Sequence, residues 1–181
     1  MKSPKLRASI DLGTNTCLLL IADWDESTHR VSRVIEDHST IVRLGQGVDQ
    51  NRQLHPDAIA RTLECLGKYS KRVKALGLEP SSVMAVATSQ ARDARNGAEF
   101  FARVESETGF RFRVISGEEE ARASFEGGLL PGMEPARSAI IDIGGGSTEL
   151  MSVKGGLSID MGSVRYTERF LKSDPVTDEQ F

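Results

Sequence analysis

Two stretches of this chain repeat one pattern suited to holding an anion. Ile10-Asp11-Leu12-Gly13-Thr14-Asn15-Thr16 has Leu19 after two further residues. Ile141-Asp142-Ile143-Gly144-Gly145-Gly146-Ser147 has Leu150 in the same place. A glycine-rich turn between strands lets backbone N–H groups point at an anion with no side chain in the way. The candidate anion-binding residues are therefore Gly13, Thr14, Asn15 and Thr16 in the first turn, and Gly144, Gly145, Gly146, Ser147 and Thr148 in the second. The hydroxyls of Thr14, Thr16, Ser147 and Thr148 add donors to each turn. Asp11 and Asp142 cannot favour a phosphate directly, and make sense if they hold a divalent cation or the water around one. One glycine-rich hairpin is commonly a plain turn. Two of the same pattern, separated by most of a domain, point to related halves facing one cleft.

The surrounding elements place both turns between strands. Ala8 to Leu12 and Cys17 to Ala22 are apolar runs, and a third strand is expected from Arg30 to Ile35, with extended chain continuing toward Gly45. Pro56 suits a first helical position. Ile59, Leu63, Leu66, Val73 and Leu76 recur at helical spacing, and Gly77 is a fitting stop. A short strand from Val83 to Ala87 precedes a helix expected to be capped by Asn96 and ended by Gly109. Phe112 to Ile115 reads as a strand. Ser116 and Glu119 have capping-box spacing, so a helix should open there and run to about Leu130. Pro131 to Pro135 reads as a linker. Strands are expected at 138–143, 147–153 and 157–160, then a helix at 163–171. The order β-β-β-α-β-α-β-α predicts an α/β domain over residues 1–132 whose leading strands pair as a meander. A second, related β-β-β-α unit should begin at 136.

The bulk properties exclude some functions. The hydrophobic content of 39% and charged content of 27% suit a globular protein and argue against disorder. A net charge of −3 supplies no basic field, so any polyanion must be held by a local site, and DNA is not an expected partner. No apolar run is long enough to span a bilayer, and no membrane partner is expected. Cys17 and Cys65 lie in apolar patterns without a partner motif, which suits reduced, buried thiols and a cytoplasmic protein. His29, His38 and His55 share no spacing and receive no catalytic role, and Trp24 reads as packing.

Four segments together resemble the exopolyphosphatase and guanosine pentaphosphate phosphatase family, within the sugar kinase/heat-shock-70/actin superfamily. They are Val42-Arg43-Leu44-Gly45 with Gly47, Ala87-Thr88-Ser89-Gln90-Ala91-Arg92-Asp93-Ala94-Arg95-Asn96, Ile115-Ser116-Gly117-Glu118-Glu119-Glu120-Ala121-Arg122, and Ile141 to Leu150. Thr14 and Thr16 stand where the family commonly has serine, and keep the hydroxyl. The resemblance implies a ribonuclease-H-like (actin-like ATPase) fold with a mixed sheet, followed by the beginning of a second similar domain. It also places the general base on the last glutamate before Ala-Arg, Glu120. Helix geometry supports that choice. Glu119 closes the capping box, while Glu120 is rotated about 100° from it and is free to face a cleft. Glu118 reads as a solvated acid at a helix start.

By the same resemblance, Asp142 and Glu149 are metal-associated acids, with Asp11 a third, and the cofactor is magnesium or another divalent cation. Arg92 is the phosphate-contacting arginine, Arg43 is a weaker candidate, and Asn96 is a cap rather than a ligand. The implied reaction is attack of water on the terminal phosphoryl group of polyphosphate or of guanosine pentaphosphate. The site residues do not choose between those substrates. An ATP-dependent kinase of the same superfamily, or a regulatory module that binds phosphate or nucleotide, are the alternatives. Family members are about twice as long, and the chain stops on a helix start at Thr177. A fragment is therefore expected, inactive by itself, from a full-length enzyme that forms a homodimer.

Overall fold

The computed structural model describes residues 5–180. Strands β1 (Lys5–Leu12), β2 (Thr16–Asp25) and β3 (Arg30–Ile41) form an antiparallel meander. Helices α1 (Val48–Asn51) and α2 (Pro56–Ala75) carry the chain back, so that β4 (Met84–Ala87) pairs parallel with β1. Helices α3 (Ser89–Asp93) and α4 (Gly97–Thr108) lead to β5 (Phe112–Val114), parallel to β4. The strand order of this mixed sheet is β3-β2-β1-β4-β5. Helix α5 (Gly117–Gly128) precedes a separate antiparallel sheet, β6 (Ala139–Ile143), β7 (Thr148–Ser152) and β8 (Gly155–Ile159), followed by α6 (Ser163–Phe170).

Alternation along the strands separates core from cleft. Ile10 and Leu12 of β1, with Cys17, Leu19 and Ile21 of β2, are buried in one cluster with Leu63, Leu66 and Val73 of α2. Each isoleucine, leucine or valine among them contributes roughly 1.5–3 kcal/mol by leaving water. Asp11 and its cross-strand partner Leu18 fall on the opposite face, away from that cluster. Cys17 and Cys65 are buried with free thiols.

The ends of α2 follow from its residues. Pro56 occupies the first turn, and His55 Nδ1 accepts the Asp57 N–H at 3.2 Å. At the other end Gly77, at φ 78°, takes the left-handed turn. The N–H groups of Gly77 and Leu78 then return to the carbonyls of Lys74 and Val73. Gly109 ends α4 in the same conformation, at φ 80°.

Asn96 departs from expectation. It sits at the start of α4 but its side chain caps nothing there. Its backbone, at φ −94° and ψ 13°, lacks the extended shape that aims a side chain at the first turn. Instead its amide clasps Leu54, with Oδ1 accepting the Leu54 N–H at 2.8 Å and Nδ2 donating to the Leu54 carbonyl at 3.1 Å.

Helix α5 opens with the capping box expected from Ser116 and Glu119. It packs against β6, β7 and β8, burying Ala121 and Phe125. Gly128 lies so near this sheet that a Cβ there would sit 3.2 Å from Ile140. The helix that carries Glu120 therefore rests on the second sheet, although it precedes the linker.

Candidate active site

The two glycine turns are built alike. In the first, the Gly13 N–H donates to the Thr16 carbonyl at 2.9 Å. In the second, the Gly144 N–H donates to the Ser147 carbonyl at 2.9 Å. The first turn is braced from behind by the segment Val42–Gly45. The N–H groups of Val42 and Arg43 both reach the Asn15 carbonyl, and that of Gly45 reaches the Thr14 carbonyl at 2.8 Å. Gly45 is required there, since a Cβ would lie 2.4 Å from Thr14 Cγ2. Arg43 supplies this backbone brace, and its exposed side chain does not line the cleft.

Both turns open on one cleft of about 500 Å³, a size typical of small-ligand sites. The turns also touch. A Cβ on Gly146 would lie 2.3 Å from Ser89 Oγ and 2.6 Å from Thr14 Oγ1. All the residues expected at the site line this cleft except Arg92 and Thr148. The Thr148 hydroxyl donates to the Met161 carbonyl, which ties β7 to the segment before α6 and takes that donor away from an anion. Arg92 lies beside the cleft. Its Nη1 donates to the Ile115 carbonyl at 2.7 Å and pairs with Glu120 Oε2 at 3.2 Å.

Glu120 projects from the first turn of α5 into the cleft. Burial, and then the negative charge of Glu149, push its carboxyl up to about 7, against the opposing pull of Arg92 and of the Thr88 hydroxyl. A carboxyl titrating there is matched to proton transfer near neutral pH. Asp11 stands at the open mouth. Desolvation by the surrounding chain, and then the nearby Asp142 charge, raise its carboxyl above the ordinary range.

Asp142 and Glu149 face each other across β6 and β7, a like-charge pairing that costs stability. Each is hydrogen-bonded by a serine: Ser124 Oγ donates to Asp142 at 2.6 Å, and Ser158 Oγ donates to Glu149 at 2.7 Å. Among the described residues, no three acidic, histidine or cysteine side chains converge closely enough to hold a metal ion. The expected trio of Asp11, Asp142 and Glu149 lines the cleft but is not assembled as a cage, and Glu149, 2% exposed, accepts the Ser158 hydroxyl. The donors left at the mouth, Asp11 and Asp142, are hard carboxylates whose mutual repulsion a divalent cation would relieve, so the residues fit magnesium with few protein ligands.

Sequence reasoning assigned no role to Thr88 and Ser89. Ser89 Oγ shares a hydrogen bond with Thr14 Oγ1 at 3.1 Å, and both threonine and serine line the cleft. The signal available was position: both follow directly on the carboxyl end of β4, where open α/β sheets place ligands.

A family model described as the Ppx/GppA phosphatase family matches residues 20–181. The chain belongs to this family. Exopolyphosphatase 2 of Mycobacterium tuberculosis is 41% identical over 181 residues, which cover 94% of this chain and 56% of that protein. The bifunctional 3-dehydroquinate synthase/phosphatase of Fusobacterium nucleatum is 38% identical over 178 residues, covering 93% of this chain and 27% of that protein. The crystal structure of the Aquifex aeolicus Ppx/GppA family member superposes with a TM-score of 0.74 at 34% identity, covering 97% of this chain and 57% of that one. The chain thus spans about half the length of the Mycobacterium tuberculosis and Aquifex aeolicus proteins. Its five-stranded mixed sheet is the actin-like architecture expected from the sequence.

Proposed function

We propose that this chain carries the catalytic residues of a phosphoanhydride hydrolase, which releases terminal phosphate from a linear polyphosphate or from guanosine pentaphosphate. The observation that carries the reading is Glu120. Its carboxyl, held near 7, faces a cleft floored by two glycine turns. Glu120 takes a proton from the water that attacks the terminal phosphorus. The amides of the two turns, with the hydroxyls of Thr14, Thr16 and Ser147, hold the phosphoryl oxygens as charge grows on them. Arg92 has N–H groups beyond those given to Ile115 and Glu120, and can turn them to an oxyanion. Asp11 and Asp142 would hold magnesium. When bound, that ion supplies charge neutralisation and an in-line template. A pure binding module has no use for an acid titrating near neutrality beside an anion, which disfavours the regulatory reading.

The layout follows. The segment to residue 132 and the segment from 136 form two related domains, a reading supported by the repeated glycine turn and by the two separate sheets. The setting is cytoplasmic and the full-length enzyme a homodimer. The isolated chain is expected to be nearly inactive, because an open site weakens electrostatic stabilisation.

The test is Glu120→Gln in the full-length protein, assayed for phosphate release with magnesium on polyphosphate and on guanosine pentaphosphate. Turnover should fall by about a hundredfold to ten-thousandfold with the fold retained. The substrate with the larger kcat/KM in the wild type identifies the preference. Wild-type rates in the variant would move the base elsewhere. No release from either substrate by the wild type would reject the hydrolase reading.

A further inference from the structure

Arg165, on α6, is 3% exposed and uses all three of its nitrogens. Nε donates to the Gly146 carbonyl at 2.7 Å, Nη1 to Asp49 Oδ1 at 2.9 Å, and Nη2 to Asp93 Oδ2 at 2.9 Å. Those acceptors belong to the second glycine turn, α1 and α3. Asp160 stands 3.6 Å from Nη2. One turn along, Arg169 forks onto both oxygens of Asp49 at 2.8 Å. Glu168 accepts the Gly47 N–H through both of its oxygens at 3.1 Å. So α6, which follows the second sheet, is bolted to two short helices of the first.

The start of α6 also holds the glycine turn through its carbonyls. The Ser163 N–H donates to the Gly144 carbonyl, and the N–H groups of Val164 and Arg165 both donate to the Gly145 carbonyl, at 2.9 to 3.0 Å. Gly162 lies flat on this turn: a Cβ there would be 2.4 Å from the peptide joining Gly145 to Gly146. With Arg165 on Gly146, the carbonyls of all three glycines are drawn toward α6. A trans peptide points each carbonyl and the following N–H in opposite directions. The N–H groups of Gly145, Gly146 and Ser147 are therefore turned away from α6, on a turn that lines the cleft.

We propose that Arg165 is a positioning residue: it orients the second turn so that its amides form an anion cradle, and it locks that cradle to α1 and α3. Asp93 is the neighbour of Arg92, so the lock also registers the cradle against the Glu120–Arg92 pair. A lysine can meet only part of this arrangement, because its point-like ammonium cannot reproduce the planar fork. The inference rests on the hydrolase reading for its effect on turnover, but not for its effect on the turn.

The test compares wild type, Arg165→Lys and Asp93→Asn in the full-length protein. Arg165→Ala is unsuitable alone, because stripping a buried charge network can unfold α6. Amide hydrogen exchange over residues 143–148 and 163–165 reads the turn directly, and kcat and KM on tripolyphosphate with magnesium read its consequence. In Arg165→Lys, kcat should fall about a hundredfold, the cost of a shift of about 1 Å, while KM moves far less. Exchange should rise in those two segments and not in α2 or α4. Asp93→Asn should show a smaller change of the same kind. Unchanged exchange in both segments overturns the proposal. So does a loss of kcat that tracks the melting temperature and recovers on cooling. A wild type that releases no phosphate would defeat the hydrolase reading, and the exchange data would still decide the role of Arg165.

Discussion

The contact between the two glycine turns can be probed with one methyl group. In Gly146→Ala, the new Cβ would meet Ser89 Oγ at 2.3 Å, Thr14 Oγ1 at 2.6 Å and Gln90 Nε2 at 2.9 Å. Gly146 is not among the glycines at positive φ, so the effect is steric rather than conformational. All three obstacles are themselves buried, which leaves them little room to give way. Ordinary carbon contacts need about 3.5 Å, so the turns must separate by roughly 1 Å. Overpacking of this kind costs about 1–3 kcal/mol of stability. A 1 Å displacement of a phosphate-holding turn should lower kcat about a hundredfold. The assay pairs phosphate release with thermal melting in the full-length protein. Adding Ser89→Ala, which removes the nearest atom, should return part of the lost stability. Gly127→Ala is the control: a Cβ there meets nothing within 4 Å on the exposed side of α5, and it should stabilise by up to about 1 kcal/mol. Activity within twofold of wild type for Gly146→Ala would show that the turns need not touch to work.

Three further outcomes are expected. Arg92 holds the Glu120 carboxyl down, so Arg92→Ala should move the rise of kcat/KM with pH from about 7 to higher pH, which a pH–rate profile would show. The sign for stability is opposite: Glu120 is raised in the fold, so its contribution is present at low pH and lost as pH rises toward 7, and melting of Glu120→Gln should lack that slope. Asn96→Ala should cost about 1–3 kcal/mol by leaving the Leu54 N–H and carbonyl unmet, measurable by urea unfolding.

The two turns were legible because glycine and hydroxyl spacing dictates where a hairpin's N–H groups can go, and the paired Gly13 and Gly144 hydrogen bonds repay that reading. Helix α2 and the Ser116 capping box were legible for the same local reason. The short helices α1 and α3 were not, since four or five residues are too few to show a period. Asn96 misled because asparagine serves caps and loop clasps equally well, and only the distant Leu54 decides between them. Thr148 looked free because the Met161 carbonyl that claims it lies thirteen residues away. Arg165 was invisible. In sequence it is one more basic residue on an amphipathic helix, and its three acceptors come from far apart in the chain.

The seating of α5 has a consequence for recombination among relatives. Glu120 rides on the second sheet through Ala121 and Phe125, while Arg92 and Thr88, which hold its proton affinity down, ride on the first. The linker near 131–135 is the natural place to splice a foreign second half. A junction there would keep Glu120 but seat its helix on a strange β6–β8 surface, where Gly128 already lies against Ile140. A junction ahead of Ser116 would let the proton acceptor travel with the sheet that carries it. The unit of inheritance for the chemistry is then α5 together with β6–β8, and the loop between them is the wrong place to cut.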